Sequence, residues 1–296
     1  MLDYLIKRMN RFSGVTYGYM LTMPSLLFLV LMAAIPFGYV IFISFYKWNP
    51  FMPHRFVGFQ NYIRILTDVE FHHSFINTLI YTGGSITLAF VIAMLTALTL
   101  DNIRRAPTFS RIIAILPWTV PMVVAALVYK WLFTTDYGVI NDVLFRLGII
   151  GDRIPYLSSG DTAMMVLIFA DAWIRLGFMI IILLAGLQSI PKQEYDAAAI
   201  DGAGPFGRFR YIIIPHLRPA MLSALLIQTM FSFRAVAIVF TLTRGGPGGA
   251  TETFPIYIYR VAFSNLSFGY SSALSIIMTL CIGFIAASYF WIFRTR

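Results

Sequence analysis

Three charged side chains lie within long apolar stretches of this sequence, and their types limit the chemistry that they can carry. Asp171 and Arg175 share one stretch, and Arg234 lies in another. A charged group in the centre of a bilayer costs about 2.5–3.5 kcal/mol, so such residues usually face a protein interior or a cavity. A guanidinium group in a cavity is suited to phosphate, sulfonate or carboxylate. The three residues are therefore candidates for contact with a polar solute.

Each of these charges also has a structural interpretation. Asp171 and Arg175 are four residues apart on one predicted helix and can form an ion pair. Asp171 lies close to one end of its stretch, where we expect solvent to screen it, so the pair can be purely structural. Arg234 lies about 15 residues into its stretch, counted from Pro219. It either lines a solute path or pairs with a second protein.

Aromatic residues near these charges can stack on sugar rings, although most aromatic residues in membrane proteins contact lipid or pack in the interior. The sequence contains no nucleophile–base arrangement, no metal-ligand spacing and no glycine-rich loop that ends in Gly-Lys-Ser/Thr. We therefore expect no catalytic residues, no metal ion and no ATP hydrolysis by this chain alone. The aromatic candidates are Trp118, Trp173, Phe231 and Phe233.

The apolar stretches that carry these residues are long enough to cross a membrane. The 296 residues are 59% hydrophobic and 12% charged, whereas soluble domains are about 25% charged, and the mean hydropathy is +0.78. A helix needs about 20 apolar residues to span a bilayer. The sequence thus predicts an all-α integral membrane protein with six transmembrane helices, the third kinked by its prolines: Gly14–Tyr46, Phe71–Leu100, Ile112–Tyr129, Thr162–Pro191, Pro219–Thr243 and Val261–Phe293.

The distribution of Lys and Arg indicates the orientation of these helices. With the N-terminus in the cytoplasm, 12 basic residues lie inside and 8 outside, and the net charges are +7 and +1. Cytoplasmic loops carry the excess of Lys and Arg, so we predict a multi-pass protein with both termini in the cytoplasm. The net charge of +9 is a topology signal, and we expect no nucleic-acid partner.

A short insert between the fourth and fifth stretches is rich in small residues. Glu194 and Asp196 place negative charge near the N-terminal end of a predicted helix. Pro215 is predicted to end a second helix, and Pro219 to begin the fifth span. Either the insert only links two spans or its small face receives another surface. That face follows the spacing i, i+3, i+4, i+7 and comprises Tyr195, Ala198, Ala199 and Gly202.

The insert resembles the cytoplasmic loop of the permease subunits of bacterial ABC importers, which docks into the ATP-hydrolysing subunit. Asp201-Gly202-Ala203, at its distance from Pro215, carries the resemblance. One departure is Asp196, where the family often has Glu; the charge is kept with a shorter reach. The resemblance implies an ATPase-coupling role for Glu194, Tyr195, Asp196, Ala197, Ala198, Ala199, Asp201, Gly202, Ala203, Gly204 and Phe206.

Further motifs extend the resemblance over nearly the whole chain, and the chain is most similar to the permeases of the maltose and glycerol-phosphate importers. The motifs are Gly58-Phe59-Gln60-Asn61-Tyr62, Asn77-Thr78, the series Pro117, Pro121, Trp131, Gly138 and Asn141, Ala185-Gly186-Leu187-Gln188, and Leu242-Thr243-Arg244-Gly245-Gly246-Pro247.

This resemblance implies a permease in the bacterial inner membrane that passes a sugar from an external solute-binding protein to the cytoplasm by alternating access. It also implies a second, similar permease and two ATPase subunits, which would bind ATP and Mg. We interpret residues 1–296 as one transmembrane domain with a coupling insert at 190–218. A secondary transporter and a membrane-embedded enzyme remain alternatives. The first should show inverted repeats, and the second should gather polar catalytic residues at one depth.

The predicted orientation can be tested with single cysteines in a Cys281→Ser background. A cysteine at Ser159 should react with an impermeant thiol reagent added from outside, because it lies in a predicted outer loop. A cysteine at Ser110 should react only after the membrane is permeabilised. The reverse labelling pattern would contradict the orientation.

Overall fold

The computed structural model describes residues 2–102 and 107–293, and this part of the chain is mostly helical. Of the basic residues that support the predicted orientation, Arg104, Arg105, Arg294 and Arg296 lie outside it. The elements in chain order are α1 (Leu2–Ser44), β1 (Tyr46–Asn49), β2 (Met52–Phe56), α2 (Gln60–Thr67), α3 (Val69–Asn102), α4 (Pro107–Thr119), α5 (Met122–Leu132), α6 (Val139–Arg146), α7 (Gly160–Gln188), α8 (Lys192–Ile200), α9 (Pro205–Arg208), α10 (Ile214–Phe233), α11 (Ala237–Leu242), α12 (Phe254–Tyr259) and α13 (Phe268–Ile292).

Five uninterrupted helical segments of the described chain are long and apolar enough to cross a membrane, and a sixth is broken. The broken one consists of Thr108–Thr119 and Met122–Leu132, which meet at 90°. Pro121 occupies the position before α5, and a proline kinks or breaks a helix because it has no N–H to donate and its ring meets the preceding turn. The six predicted spans are confirmed when this pair counts as one, and the predicted kink is a right-angle break. The uninterrupted segments are Gly18–Ser44, Val69–Asp101, Gly160–Gln188, Pro205–Phe233 and Phe268–Ile292.

The fifth span has different limits from those predicted. Its helical path is continuous from Pro205 to Phe233, with a π-helical segment at Phe209–Ile213 between α9 and α10. Pro215 lies just after this π-helical segment, and a proline inside a helical path is accommodated by such a local irregularity in the hydrogen bonding. The predictions that Pro215 ends a helix and that Pro219 begins one are therefore wrong. The path also ends earlier, before Arg234.

One compact unit comprises the chain up to Leu66 together with Val261–Ile276. Its hairpin, β1–β2, lies between the first and second predicted spans. Tyr46 pairs with Phe56 across the hairpin, and the Phe51 N–H donates to Asn49 Oδ1 at 2.9 Å within the turn.

Contacts with backbone carbonyl groups join α2 to the end of α1 and to β1, and bring α13 close to β1, within this unit. Asn61 Nδ2 donates to the carbonyl oxygens of Ser44 and Tyr46, at 2.7 and 3.0 Å. Gly269 approaches the same strand so closely that a Cβ there would lie 1.8 Å from the Tyr46 carbonyl oxygen. The motif residues Gln60, Asn61 and Tyr62 begin the short helix α2.

The second unit comprises Thr67–Arg260 and Ile277–Arg296, and α7 lies at its centre, packed against α3, α4 and α10. Ala89, Ala93 and Ala97 recur every four residues on α3 and are completely buried. Small residues at such spacing allow membrane helices to approach closely without a hydrophobic driving force. Gly177 on α7 serves the same purpose towards α4, because a Cβ there would lie 2.7 Å from the Ile115 carbonyl oxygen.

Replacing Gly177 by alanine should destabilise this unit. The new methyl group would meet backbone, which cannot rotate away, and overpacking of this kind typically costs about 1–3 kcal/mol. Gly83→Ala is the matched control, since a Cβ at Gly83 on α3 meets nothing within 4 Å. Thermal unfolding of the purified protein in detergent should show a lower midpoint for Gly177→Ala alone; equal midpoints would contradict the close approach.

Candidate functional site

A cavity of about 680 Å³ lies in the second unit, at the break of the third span and the end of the fifth. Its walls are mostly apolar and aromatic, with a few polar groups, as in most sites for small molecules. Only four of its lining residues were considered in the sequence analysis for charge or aromatic character: Trp118, Arg175, Phe231 and Arg234. The others are Val120, Met122, Ile174, Phe178, Gln228, Ala235, Val236 and Ala237.

A buried ion pair stands behind one wall of the cavity. Arg175 Nε and Nη2 donate to the two carboxylate oxygens of Asp171, each at 2.7 Å. The Ser232 hydroxyl donates to Asp171 Oδ2 at 2.7 Å, and Arg175 Nη1 donates to Gln228 Oε1 at 3.1 Å. A bidentate contact such as that between Arg175 and Asp171 is among the stronger polar contacts in proteins. It joins α7 to α10.

The predicted pairing is observed, but the expected screening of Asp171 by solvent is wrong. Asp171 is 0% exposed and Arg175 is 3% exposed. The position of Asp171 near the end of an apolar stretch indicated water, whereas α10 covers it with Ser232. Charge on this wall is thus neutralised within the protein.

Sequence reasoning missed Gln228, Ser232 and Phe178. Gln228 and Ser232 are two polar residues four apart in an apolar stretch, and this spacing places them on one helix face. Phe178 follows Arg175 by three residues and belongs to the face of α7 that lines the cavity. Polar pairs at i, i+4 were therefore the available signal for the side of α10 that meets the Asp171–Arg175 pair.

Arg234 lies at the end of the fifth span and not inside it. It follows α10 directly, and α11 begins only at Ala237. Its side chain is exposed on this chain, and its guanidinium carbon lies 5.0 Å from the centre of the Phe231 ring. The prediction of a charge midway along a membrane helix is wrong, because the helix ends ten residues earlier than hydropathy indicated.

The structure brings some of the predicted aromatic residues to the cavity and not others. The Trp118 ring lies 5.7 Å from the Phe178 ring, and both residues line the cavity together with Phe231. Trp173 does not line it; its ring lies 5.9 Å from that of Tyr129 and packs against the apolar core. Phe233 is also in the interior, 1% exposed.

The insert folds as a short helix closed by a glycine turn. α8 ends at Ile200 with Asp201 as its C-cap, and Gly202 follows with a φ of +75°, a conformation that glycine adopts without steric cost. The Ala203 N–H donates to the Ala198 carbonyl oxygen at 2.8 Å, and the Gly202 N–H donates to that of Ala199 at 3.2 Å. These two bonds form a Schellman motif, which satisfies the last carbonyl groups of the helix.

One side of the insert is attached to the rest of the second unit. Tyr195 packs against its apolar core, and burial, together with the charges of Asp101 and Glu194, raises the pKa of the tyrosine above its usual value. Glu194 Oε1 lies 3.0 Å from His216 Nε2 on α10. Tyr195 therefore faces the protein, contrary to the prediction that it shares an outward face with Ala199 and Gly202.

The outward side of the insert carries two large apolar residues. Ile200 is 87% exposed and Phe206 is 80% exposed, and the neighbouring Ala199 and Gly202 are exposed as well. Ile200 was not among the residues predicted from the sequence, because that prediction was based on the small residues of the insert. A large apolar residue directly before Asp201-Gly202 was the signal that could have found it.

Comparison with known proteins gives one family for most of the chain. Residues 86–295 match the family described as "Binding-protein-dependent transport system inner membrane component". The trehalose/maltose transport system permease protein of Thermococcus litoralis is 34% identical, over 88% of this chain and 88% of that protein. The sulfoquinovosyl glycerol transport system permease protein of Agrobacterium fabrum is 33% identical, over 94% of this chain and 90% of that protein.

The fold is also found in a solved structure. A chain from the crystal structure of a bacterial ABC transporter involved in the import of the acidic polysaccharide alginate superimposes with a TM-score of 0.80. The match covers 98% of both chains at 21% sequence identity. The overall fold of this chain is therefore shared with a chain of a known ABC transporter.

The buried ion pair predicts unequal effects of single and double substitutions. Arg175→Met leaves the Asp171 carboxylate buried without its counter-ion, and breaking such a pair typically costs about 3–5 kcal/mol. Asp171→Leu combined with Arg175→Met removes both charges and should recover most of the loss. The exposed pair Arg146–Asp142 supplies the control Arg146→Met, expected to cost less than about 1 kcal/mol. Thermal midpoints of the purified variants measure this, and a double variant as unstable as the single one would refute it.

Proposed function

We propose that this chain, which belongs to the family of binding-protein-dependent transport system inner membrane components, passes a saccharide or saccharide-like solute through the membrane. It is the permease subunit of an ABC importer and a translocation component, not an enzyme. The observation that carries the proposal is 34% identity over 88% of the chain to a trehalose/maltose permease.

The names of several relatives support a saccharide as the solute. Besides trehalose/maltose, they include sulfoquinovosyl glycerol, sn-glycerol-3-phosphate and diacetylchitobiose transport proteins. Sugar rings combine apolar faces with polar edges. The cavity offers the aromatic side chains of Trp118, Phe178 and Phe231 beside the polar groups of Gln228 and Arg234, which suits such a solute.

The cavity is proposed to form part of the translocation path. Trp118, Phe231 and Arg234 line it directly, and Asp171 acts through Arg175 by holding the guanidinium in place. Trp173 has the less direct role of packing behind Tyr129. In alternating access, this wall would face one side of the membrane and then the other as α10 moves.

The insert is proposed to couple this movement to ATP hydrolysis on partner subunits. Ile200 and Phe206 are large, apolar and exposed on the same short insert, and an ATPase subunit that docks there would bury both side chains. Ala197, Ala199 and Gly202 are also exposed and have small side chains or none, so that a partner can approach the insert closely. Asp196, Asp201 and Gly204 are also exposed there, whereas Glu194 and Tyr195 secure the helix from behind.

The remaining partners follow from the same proposal. Two ATPase subunits bind ATP and Mg, an external binding protein delivers the solute, and a second, similar permease completes the path. The exposed apolar side chains along α1 are available to that permease and to lipid. The whole chain acts as one permease domain with the insert at 190–218, located in the bacterial inner membrane with both termini in the cytoplasm.

Charged substitutions on the insert test the coupling role. Ile200→Glu and Phe206→Glu should leave the permease folded, because both side chains are exposed, but should lower ATPase co-purification and ATP-driven uptake at least about tenfold through burial of an unpaired charge. Ile200→Leu and Phe206→Leu are the matched controls and should retain both.

The measurement is the amount of ATPase that co-purifies from membranes, together with uptake into proteoliposomes supplied with ATP and the binding protein. Normal co-purification and uptake with both Glu variants would refute the coupling surface. ATP-independent uptake by the permease alone would favour a secondary transporter instead.

A further inference from the structure

We infer that the solute is anionic and that Arg234 binds its negatively charged group, a carboxylate, sulfonate or phosphate. This inference rests on the proposed function and names the substrate class of the same cavity. It depends on the distinction that the structure draws between two arginines, both of which line the cavity.

Arg175 is not available to bind an anion. Its Nε and Nη2 atoms are bonded to Asp171, and Nη1 is bonded to Gln228. It is 3% exposed, and its charge is balanced by the carboxylate that it contacts. An anion that approached it would also approach Asp171 and would be repelled.

Arg234 has the opposite environment. Its guanidinium forms no ion pair with any residue that the structure describes, and no acidic side chain lines the cavity. The contact that it does make is with the face of the Phe231 ring, which orients the group without neutralising it. The edge of a guanidinium presents a planar fork of donors that matches carboxylate and phosphate oxygens.

The charge balance of the cavity therefore favours an anion. Arg175 and Asp171 cancel, so Arg234 leaves one uncompensated positive charge at the wall. The C-terminal end of α10 contributes a partial negative charge of only about one half, which falls off within a turn. When the cavity closes and excludes water, an unpaired guanidinium becomes costly. An oxyanion on the solute removes that cost, whereas a neutral sugar does not and a cation increases it.

The test uses the complete transporter in proteoliposomes with its ATPase subunits, its binding protein and ATP. Matched probes are glucose and maltose as neutral sugars, and glucuronate, sulfoquinovose and glucose 6-phosphate as sugars with a carboxylate, a sulfonate and a phosphate. At least one anionic probe should be taken up in preference to the neutral ones. Arg234→Gln should lower its uptake per assembled complex by about 10- to 100-fold, as expected for loss of a hydrogen-bonded ionic contact.

Two further variants separate recognition from structure. Arg234→Lys keeps the charge at the end of α10 but loses the planar fork, so it should raise KM for the anionic probe while retaining a normal yield of complex. Arg146→Gln removes an arginine that is exposed in an ion pair elsewhere and should leave uptake unchanged.

The outcomes separate this inference from the proposed function. ATP-driven uptake of neutral sugars alone would overturn the anionic class and retain the importer. Uptake of an anionic probe at a normal rate per complex by Arg234→Gln, whatever the yield of complex, would overturn the role of Arg234. Absence of ATP-driven uptake of every probe would refute the proposed function and this inference with it.

Discussion

The pairing of Asp171 with Arg175 is the contact on which the membrane part of the second unit depends. An ion pair in an apolar interior is tolerated only when its remaining donors and acceptors are satisfied. Here Gln228 and Ser232 on α10 satisfy them, so α10 has one rotation and one height relative to α7. That arrangement brings Arg234, at the end of α10, to the same cavity that Arg175 lines. The position of the exposed Arg234 is thus determined by the buried Asp171–Arg175 pair.

Small residues provide the close packing that this network needs. The alanine row of α3 and Gly177 of α7 bring backbones together where larger side chains would hold them apart. Close approach in membranes depends on shape, since lipid tails are as apolar as the helices themselves. Because α4 is held against α7 in this way, the break at Pro121 turns the following helix aside. The cavity lies beside that break.

Hydropathy and helical spacing predicted the number of spans, the Asp171–Arg175 pair and the glycine-closed insert, because each depends on neighbours in sequence. They did not predict where the fifth span begins, since the helical path passes through Pro215 and Pro219 by way of a π-helical segment at Phe209–Ile213. They also placed Tyr195 on the outward face of the insert. Spacing tells which residues share a side of a helix, but not which side meets the protein, and the apolar core of the second unit decides that. The hairpin was missed for a similar reason, because its pairing depends on contacts with Asn61 and Gly269.

The proposed coupling needs a mechanical connection between the insert and the cavity, and the fifth span provides it. Glu194 and His216 fasten α8 to the start of α10, and the Arg208 Nε donates to the Ala203 carbonyl oxygen at 3.0 Å to close the turn between α8 and α9. From Pro205 the helical path runs without interruption to Phe233, about 1.5 Å per residue along its axis. A partner that displaces Ile200 and Phe206 therefore displaces α10, and with it the end of the helix that carries Arg234. Because Asp171 and Arg175 resist sliding of α10 along α7, the movement favoured by this geometry carries α7 and α10 together.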